Sequence, residues 1–181
     1  MRRLFFFAMM IVTSLVNVAQ DTTEAADASI DDMLTAFLAD EGQGTDILNK
    51  ARGATVLTLS SDNEYVINVT AAQDGWWKIL EIWQVGGDDD SEVVLEGSDT
   101  GEYWIHHSAL GLGTRNYGYQ ELSLRDAPEE EANVVFTFNE ELVLMPLDIQ
   151  GDWVKVKVDG YDIVGWIEAE WLCSNPLTNC C

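Results

Sequence analysis

Three cysteines, two histidines and one dense run of carboxylates are the residues in this chain whose types invite chemistry. Cys173, Cys180 and Cys181 all lie within the last nine residues. A disulfide from Cys173 to Cys180 or Cys181 would staple the C-terminal tail, and closing so short a ring stabilises by roughly 2–3 kcal/mol. A catalytic thiolate would need a neighbouring base and an electropositive site. Only His106 and His107 are bases of the right kind, and nothing in the spacing sets them beside Cys173. The structural disulfide is the expectation.

Metal and cofactor chemistry finds no template. His106 and His107 are adjacent, so on a strand they would point to opposite faces, and no His-x-x-x-His or Cys-x-x-Cys spacing occurs. Asp88-Asp89-Asp90-Ser91-Glu92 fails as a calcium loop, because Val93 stands where the turn glycine belongs and Asp99 where the closing glutamate belongs. It reads as a solvated loop. Gly111-Leu112-Gly113 does not continue into a dinucleotide fingerprint, and no Gly-x-Ser-x-Gly elbow exists. The chain is therefore expected to be non-enzymatic, with no metal and no cofactor.

Aromatic side chains remain, and they suit recognition of a peptide or sugar. Trp76, Trp153, Tyr161 and Trp171 are placed near the surface, with Tyr117 and Tyr119 on a connector. Trp77, Ile79 and Trp83 alternate onto a core face, and Trp104 and Trp166 anchor the interior. In Trp153-Val154-Lys155-Val156-Lys157-Val158 the valines share one face, leaving Trp153 on the other with two lysines.

The elements positioning these residues follow an exported layout. Arg2 and Arg3, an apolar run from Leu4 to Val12 and a more polar end form a secretory signal peptide over residues 1–20, with cleavage near Ala19 or Gln20. The run is too short to span a bilayer, so no stable membrane span is expected after cleavage, and the destination is the periplasm or the exterior. The 181-residue chain has 32 acidic and nine basic residues, a net charge of −23. Loss of Arg2 and Arg3 takes it to −25. Such acidity excludes nucleic-acid partners, while 47% hydrophobic residues and seven tryptophans argue against disorder.

Residues 21–53 read as an acidic leader followed by short helices. Ile30, Met33, Leu34, Phe37 and Leu38 form one helical stripe behind Ser29 as N-cap, and a second short helix is expected from Thr45 to Gly53. From Ala54 onward β-branched and aromatic runs alternate with turn signals. A pattern occurs twice there. Trp76-Trp77-Lys78-Ile79 matches Trp153-Val154-Lys155-Val156, and the seven residues Trp104 to Leu110 match Trp166 to Leu172.

The second copy resembles the bacterial SH3-like domain family. Leu124-Arg125-Asp126-Ala127-Pro128 matches its opening, Val134-Val135-Phe136 and Leu142-Val143-Leu144 echo its strands, and Trp153 to Val156 is its Trp-x-Lys-Val. Gly165-Trp166-Ile167 and Trp171-Leu172 match its closing segment. The tail is similar to that of exported Bacteroidetes envelope proteins ending in such a domain, and the family also supplies accessory domains to cell-wall hydrolases. The first copy departs from the pattern: Tyr103 replaces the glycine before the second tryptophan, and Gly86 to Gly101 is inserted.

The resemblance implies a mainly β chain of two tandem small SH3-like β-barrels, at 54–119 and 120–181, preceded by a short helical segment. It implies a non-catalytic module whose partner is cell-wall peptide, peptidoglycan or an envelope protein. The alternative is a structural or inhibitory envelope protein whose acidic surface binds a basic partner.

Overall fold

A computed structural model describes residues 33–40, 42, 44–87 and 89–175. The signal-peptide reading of residues 1–20, most of the leader, and Cys180 and Cys181 lie outside the described residues. Fourteen strands follow in order: β1 (Leu34–Leu38), β2 (Thr45–Leu48), β3 (Thr55–Leu59), β4 (Glu64–Gln73), β5 (Trp76–Val85), β6 (Ser91–Glu92), β7 (Trp104–His106), β8 (Leu110–Thr114), β9 (Leu122–Arg125), β10 (Val134–Phe138), β11 (Val143–Gln150), β12 (Trp153–Val158), β13 (Val164–Glu168) and β14 (Leu172–Cys173). Short 3-10 turns, His107–Ala109 and Ala169–Trp171, precede β8 and β14. No helix among the described residues is long and apolar enough to cross a membrane.

Turn chemistry makes the two central hairpins. Asp74 and Gly75 join β4 to β5 with φ of 51° and 86°, the pair of positive values that a two-residue hairpin turn of the primed type requires. Gly151 takes φ 57° at the matching place between β11 and β12. In β12, Val154, Val156 and Val158 all face the core, as the alternation predicts.

The pairing repeats itself. One unit has the neighbour order β8-β1-β4-β5-β7-β2-β3, and the other has β14-β8-β11-β12-β13-β9-β10. Strand for strand the two orders match, and β8 serves in both. It is the last strand of the first unit, pairing with β1 through Gly111 and Leu110, and the lead strand of the second, pairing with β11 through Gly113 and Leu112. Equivalent backbone bonds confirm the match: His107 N–H donates to the Gly75 carbonyl at 2.9 Å, and Ala169 N–H donates to the Asp152 carbonyl at 2.8 Å.

Three expectations are corrected. The helices expected over 30–38 and from Thr45 to Gly53 are strands β1 and β2 where described. Leu34 and Leu38, four apart, share a face in a helix and in a strand alike, but Leu34 and Ala36, two apart, are both buried, which is the alternation of a strand. Ladders to β4 and β8 then settle the choice by tertiary pairing. The two closed barrels are not found either; one antiparallel ladder runs through both units and leaves β3 and β10 as its ends. Finally, Trp83 is not on the core face. The ladder shifts register between Asn68 and Val69, so Ile82 is buried in its place, as a bulge requires when one extra residue enters a strand.

The core is continuous across the units, from Ile47, Ile67 and Trp77 to Leu124, Leu144 and Val156. Trp77 is its largest fully buried side chain, and its indole Nε1–H donates to the Pro146 carbonyl on β11 at 3.0 Å. Burying the ring without that acceptor would leave the N–H unsatisfied at a cost of about 1–3 kcal/mol.

Candidate functional site

The second unit brings two tryptophans to one cleft. Trp153 opens β12 and pairs in register with Glu168 on β13. Three residues on, the 3-10 turn carries Trp171, and on the other side β9 joins β13 through Arg125 and Trp166. Trp153, Trp171, Arg125 and Glu168 line a cleft of about 190 Å³ together with Glu121 and Glu130. A neighbouring depression of about 380 Å³ shares Trp153, Glu130 and Glu168 and adds Asp152 and Glu170.

Hydrogen bonds hold this lining in place. Arg125 Nη1 donates to the Ala132 carbonyl at 2.8 Å. The turn carrying Trp171 is tied to the chain beyond β8: Arg115 N–H donates to the Trp171 carbonyl at 2.9 Å and Arg115 Nη1 to the Glu170 carbonyl at 3.1 Å. Buried Asn116 pins the same connector, accepting from Thr114 Oγ1 at 2.8 Å and donating to the Glu140 carbonyl at 3.0 Å. On the same outer face, Lys155 Nζ lies 5.7 Å from the centre of the Trp166 ring, within cation–π range.

At the matching place the first unit is built differently. Trp76 pairs in register with His106, and the two rings meet edge to face, 5.0 Å apart. His106 Nδ1 lies 2.8 Å from Ser108 Oγ and accepts from Ser108 N–H at 3.3 Å. The expectation that His106 and His107 point to opposite faces is corrected: their ring centres are 4.4 Å apart. The strand ends at His106 and the 3-10 turn starts at His107, so strand alternation does not apply. No third metal-ligating side chain joins them among the described residues.

Burial lowers the pKa of His106, and it lowers that of His107 together with the charges of His106 and Lys157. His107 Nδ1 is also buried without a hydrogen-bond partner. A histidine whose pKa is lower in the folded state binds fewer protons there than in the unfolded chain, so stability rises with pH. The full stability is present above the ordinary value of 6.5 and is lost as pH falls below it. We predict a falling melting temperature from pH 8 to pH 5.5, measured by circular dichroism, and a flatter profile for the His106→Gln/His107→Gln variant. Equal slopes would refute the assignment.

The remaining sequence-predicted residues lie elsewhere. Tyr161 and Tyr119 are 62% and 79% exposed, Tyr117 is half-buried on the connector, and none of the three lines the cleft. Trp76 is half-buried in the first unit and lines neither the cleft nor the depression beside it. Cys173 is 5% exposed in β14, opposite Gly113. Trp104 and Trp166 are buried, but they pair in register with Lys78 and Lys155 on the face opposite the valine core. The expectation that they anchor the interior is corrected: strand alternation sets them across the sheet from Ile105 and Ile167. Sequence reasoning missed Arg125, Glu121, Glu130 and Glu168 as site residues. Glu168 alone left a usable signal, two positions after Trp166 in a strand that must pair with the one opened by Trp153.

A larger groove of about 650 Å³ lies at the junction of the units, lined by Phe37, Asp40, Glu64, Ser108, Val143 and Met145 among others. It gathers no pair of tryptophans and no cationic group.

No family model matches the chain, and no curated protein matches it. Solved structures similar to it include NlpC2 from Trichomonas vaginalis, at 14% identity and a TM-score of 0.30, and NlpC1 from the same organism, at 14% and 0.29. The alignments cover 81% of this chain but 50% and 48% of those two, so the chain spans about half their length. Likeness at this level carries no argument, and the site rests on its own residues.

Proposed function

We propose that the chain is an exported, non-catalytic binding module, built of two repeated SH3-like units, that recognises cell-wall peptide or peptidoglycan through the cleft of the second unit. The observation carrying this reading is the meeting of Trp153 and Trp171 in one cleft walled by charged side chains. Flat, rigid rings give a ligand large contact area at small entropic cost, and the charged rim fixes its orientation. The resemblance of residues 124–172 to the bacterial SH3-like family supports the wall as the source of ligand.

Co-sedimentation with purified peptidoglycan tests it. The wild-type chain is expected in the pellet, and Trp153→Ala is expected to bind at least about tenfold more weakly, since a buried aromatic anchor carries roughly 2 kcal/mol or more. Leu80→Ala, on exposed surface of the first unit, should bind as wild type. Wild-type protein left in the supernatant, or a Trp153→Ala variant that pellets equally, would overturn the proposal.

The excess of 32 acidic over nine basic residues favours a second reading, an envelope protein that engages a basic partner. It differs in one measurable respect: such binding weakens steeply with salt and does not depend on Trp153.

A further inference from the structure

The cleft's lining is one-sided in charge. Glu121, Glu130 and Glu168 face it with the single guanidinium of Arg125, and Asp152 and Glu170 extend the acidic rim. Arg125 is already engaged by the Ala132 carbonyl. Among the described residues the ion pairs are Lys78 with Glu102 and Lys157 with Asp162, so none of these five carboxylates is neutralised in that way.

The first unit serves as an internal comparison. Both units share the strand order, the register at the tryptophan and the backbone bond from the 3-10 turn. At the site they differ at five matched positions: Gly75 against Asp152, His106 against Glu168, His107 against Ala169, Ser108 against Glu170, and Ala109 against Trp171. Those differences give the second unit three carboxylates and a second indole. A cation meets attraction from both kinds of group, because indole faces carry negative electrostatic potential and carboxylates carry full charge.

We propose that the cleft takes a peptide bearing a free side-chain amine, with the ammonium set against Trp153 and Trp171 and balanced by Glu168 and Glu130. The inference rests on the reading of this cleft as the ligand site and names the ligand group that the site selects. An anionic or purely neutral ligand would leave the acidic rim uncompensated.

Two synthetic peptides test it: Nα-acetyl-Ala-Glu-Lys amide and the same peptide acetylated on the lysine side chain. Binding to the full chain is followed by tryptophan fluorescence, alongside the sedimentation assay. The free-amine peptide is expected to bind at least about tenfold more tightly than the acetylated one. Glu168→Gln should weaken the free-amine peptide by about threefold or more, and Glu96→Gln, an exposed residue outside the cleft, should not. Equal affinity for both peptides would overturn the inference while leaving the cleft as the ligand site. So would failure of both peptides when sacculi still retain wild type and not Trp153→Ala. Failure of sedimentation as well would remove the reading beneath it.

Discussion

Replacing Trp77 by alanine is expected to destabilise the protein by about 3–5 kcal/mol, the range for emptying a buried aromatic site. Trp77 is fully buried at 0% exposure and contacts both units, since its indole Nε1–H reaches the Pro146 carbonyl on β11. Two losses combine: the apolar area of the ring and the bond across the junction. Trp77→Phe separates them. It keeps most of the packing but leaves the Pro146 carbonyl without its donor, for an expected cost of about 1–3 kcal/mol. Urea unfolding followed by far-ultraviolet circular dichroism should place the phenylalanine variant between wild type and the alanine variant. Because β8 belongs to both units, a single transition is expected in all three. A Trp77→Phe midpoint equal to wild type would contradict the role given to the indole bond.

The second large effect concerns Gly165. A Cβ built there would lie 2.7 Å from Leu124 Cβ, 3.0 Å from the Arg125 carbonyl oxygen and 3.0 Å from Val135 Cγ2. Two of those atoms are backbone or fixed to it, so the neighbours cannot swing aside. Gly165→Ala is expected to cost about 1–3 kcal/mol, the usual range for overpacking. The strain would fall on β9, which carries Arg125 to the cleft, so ligand affinity should drop together with the unfolding midpoint. An alanine variant with wild-type stability would show that β9 and β13 are less tightly apposed than described. At the matching position in the first unit stands Tyr103, whose carbonyl accepts from Ile79 N–H at 2.7 Å. The glycine is thus a demand of the second unit's packing and not of the repeated strand order.

Much of this fold was legible in the residues. The valine alternation after Trp153 gave the correct core face, and the repeated Trp-x-Lys and Trp-Ile segments marked the two copies, now visible as matching ladders. What escaped was set by long-range pairing. Leu34 and Leu38, four apart, share a face in a strand and in a helix alike, and only pairing with β4 and β8, which buries Ala36 between them, decides. The bulge that exchanges Trp83 for Ile82 comes from an extra residue in β5, Leu80, where Glu81 and Ile79 pair with the consecutive Asn68 and Val69 of β4. The sharing of β8 leaves no mark in composition or spacing.

The site was legible in part. Trp153 stood out because a large aromatic on a polar face is out of place unless something covers it, and Trp171 was placed near the surface with it. Their joint cleft with Arg125 and Glu168 arises from the order β12-β13-β9, which local periodicity does not encode. Trp76, placed in the same group, faces His106 instead. The two histidines came together because a 3-10 turn interrupts the strand between them.

The most direct test of the account is a nuclear magnetic resonance titration of the full chain with soluble peptidoglycan fragments, reading the indole N–H signals of its seven tryptophans. The account predicts that the signals of Trp153 and Trp171 shift progressively and saturate together, while buried Trp77 and Trp104 hold their positions. Shifts centred on Trp76, or none at Trp153 and Trp171 at saturating ligand, would contradict it.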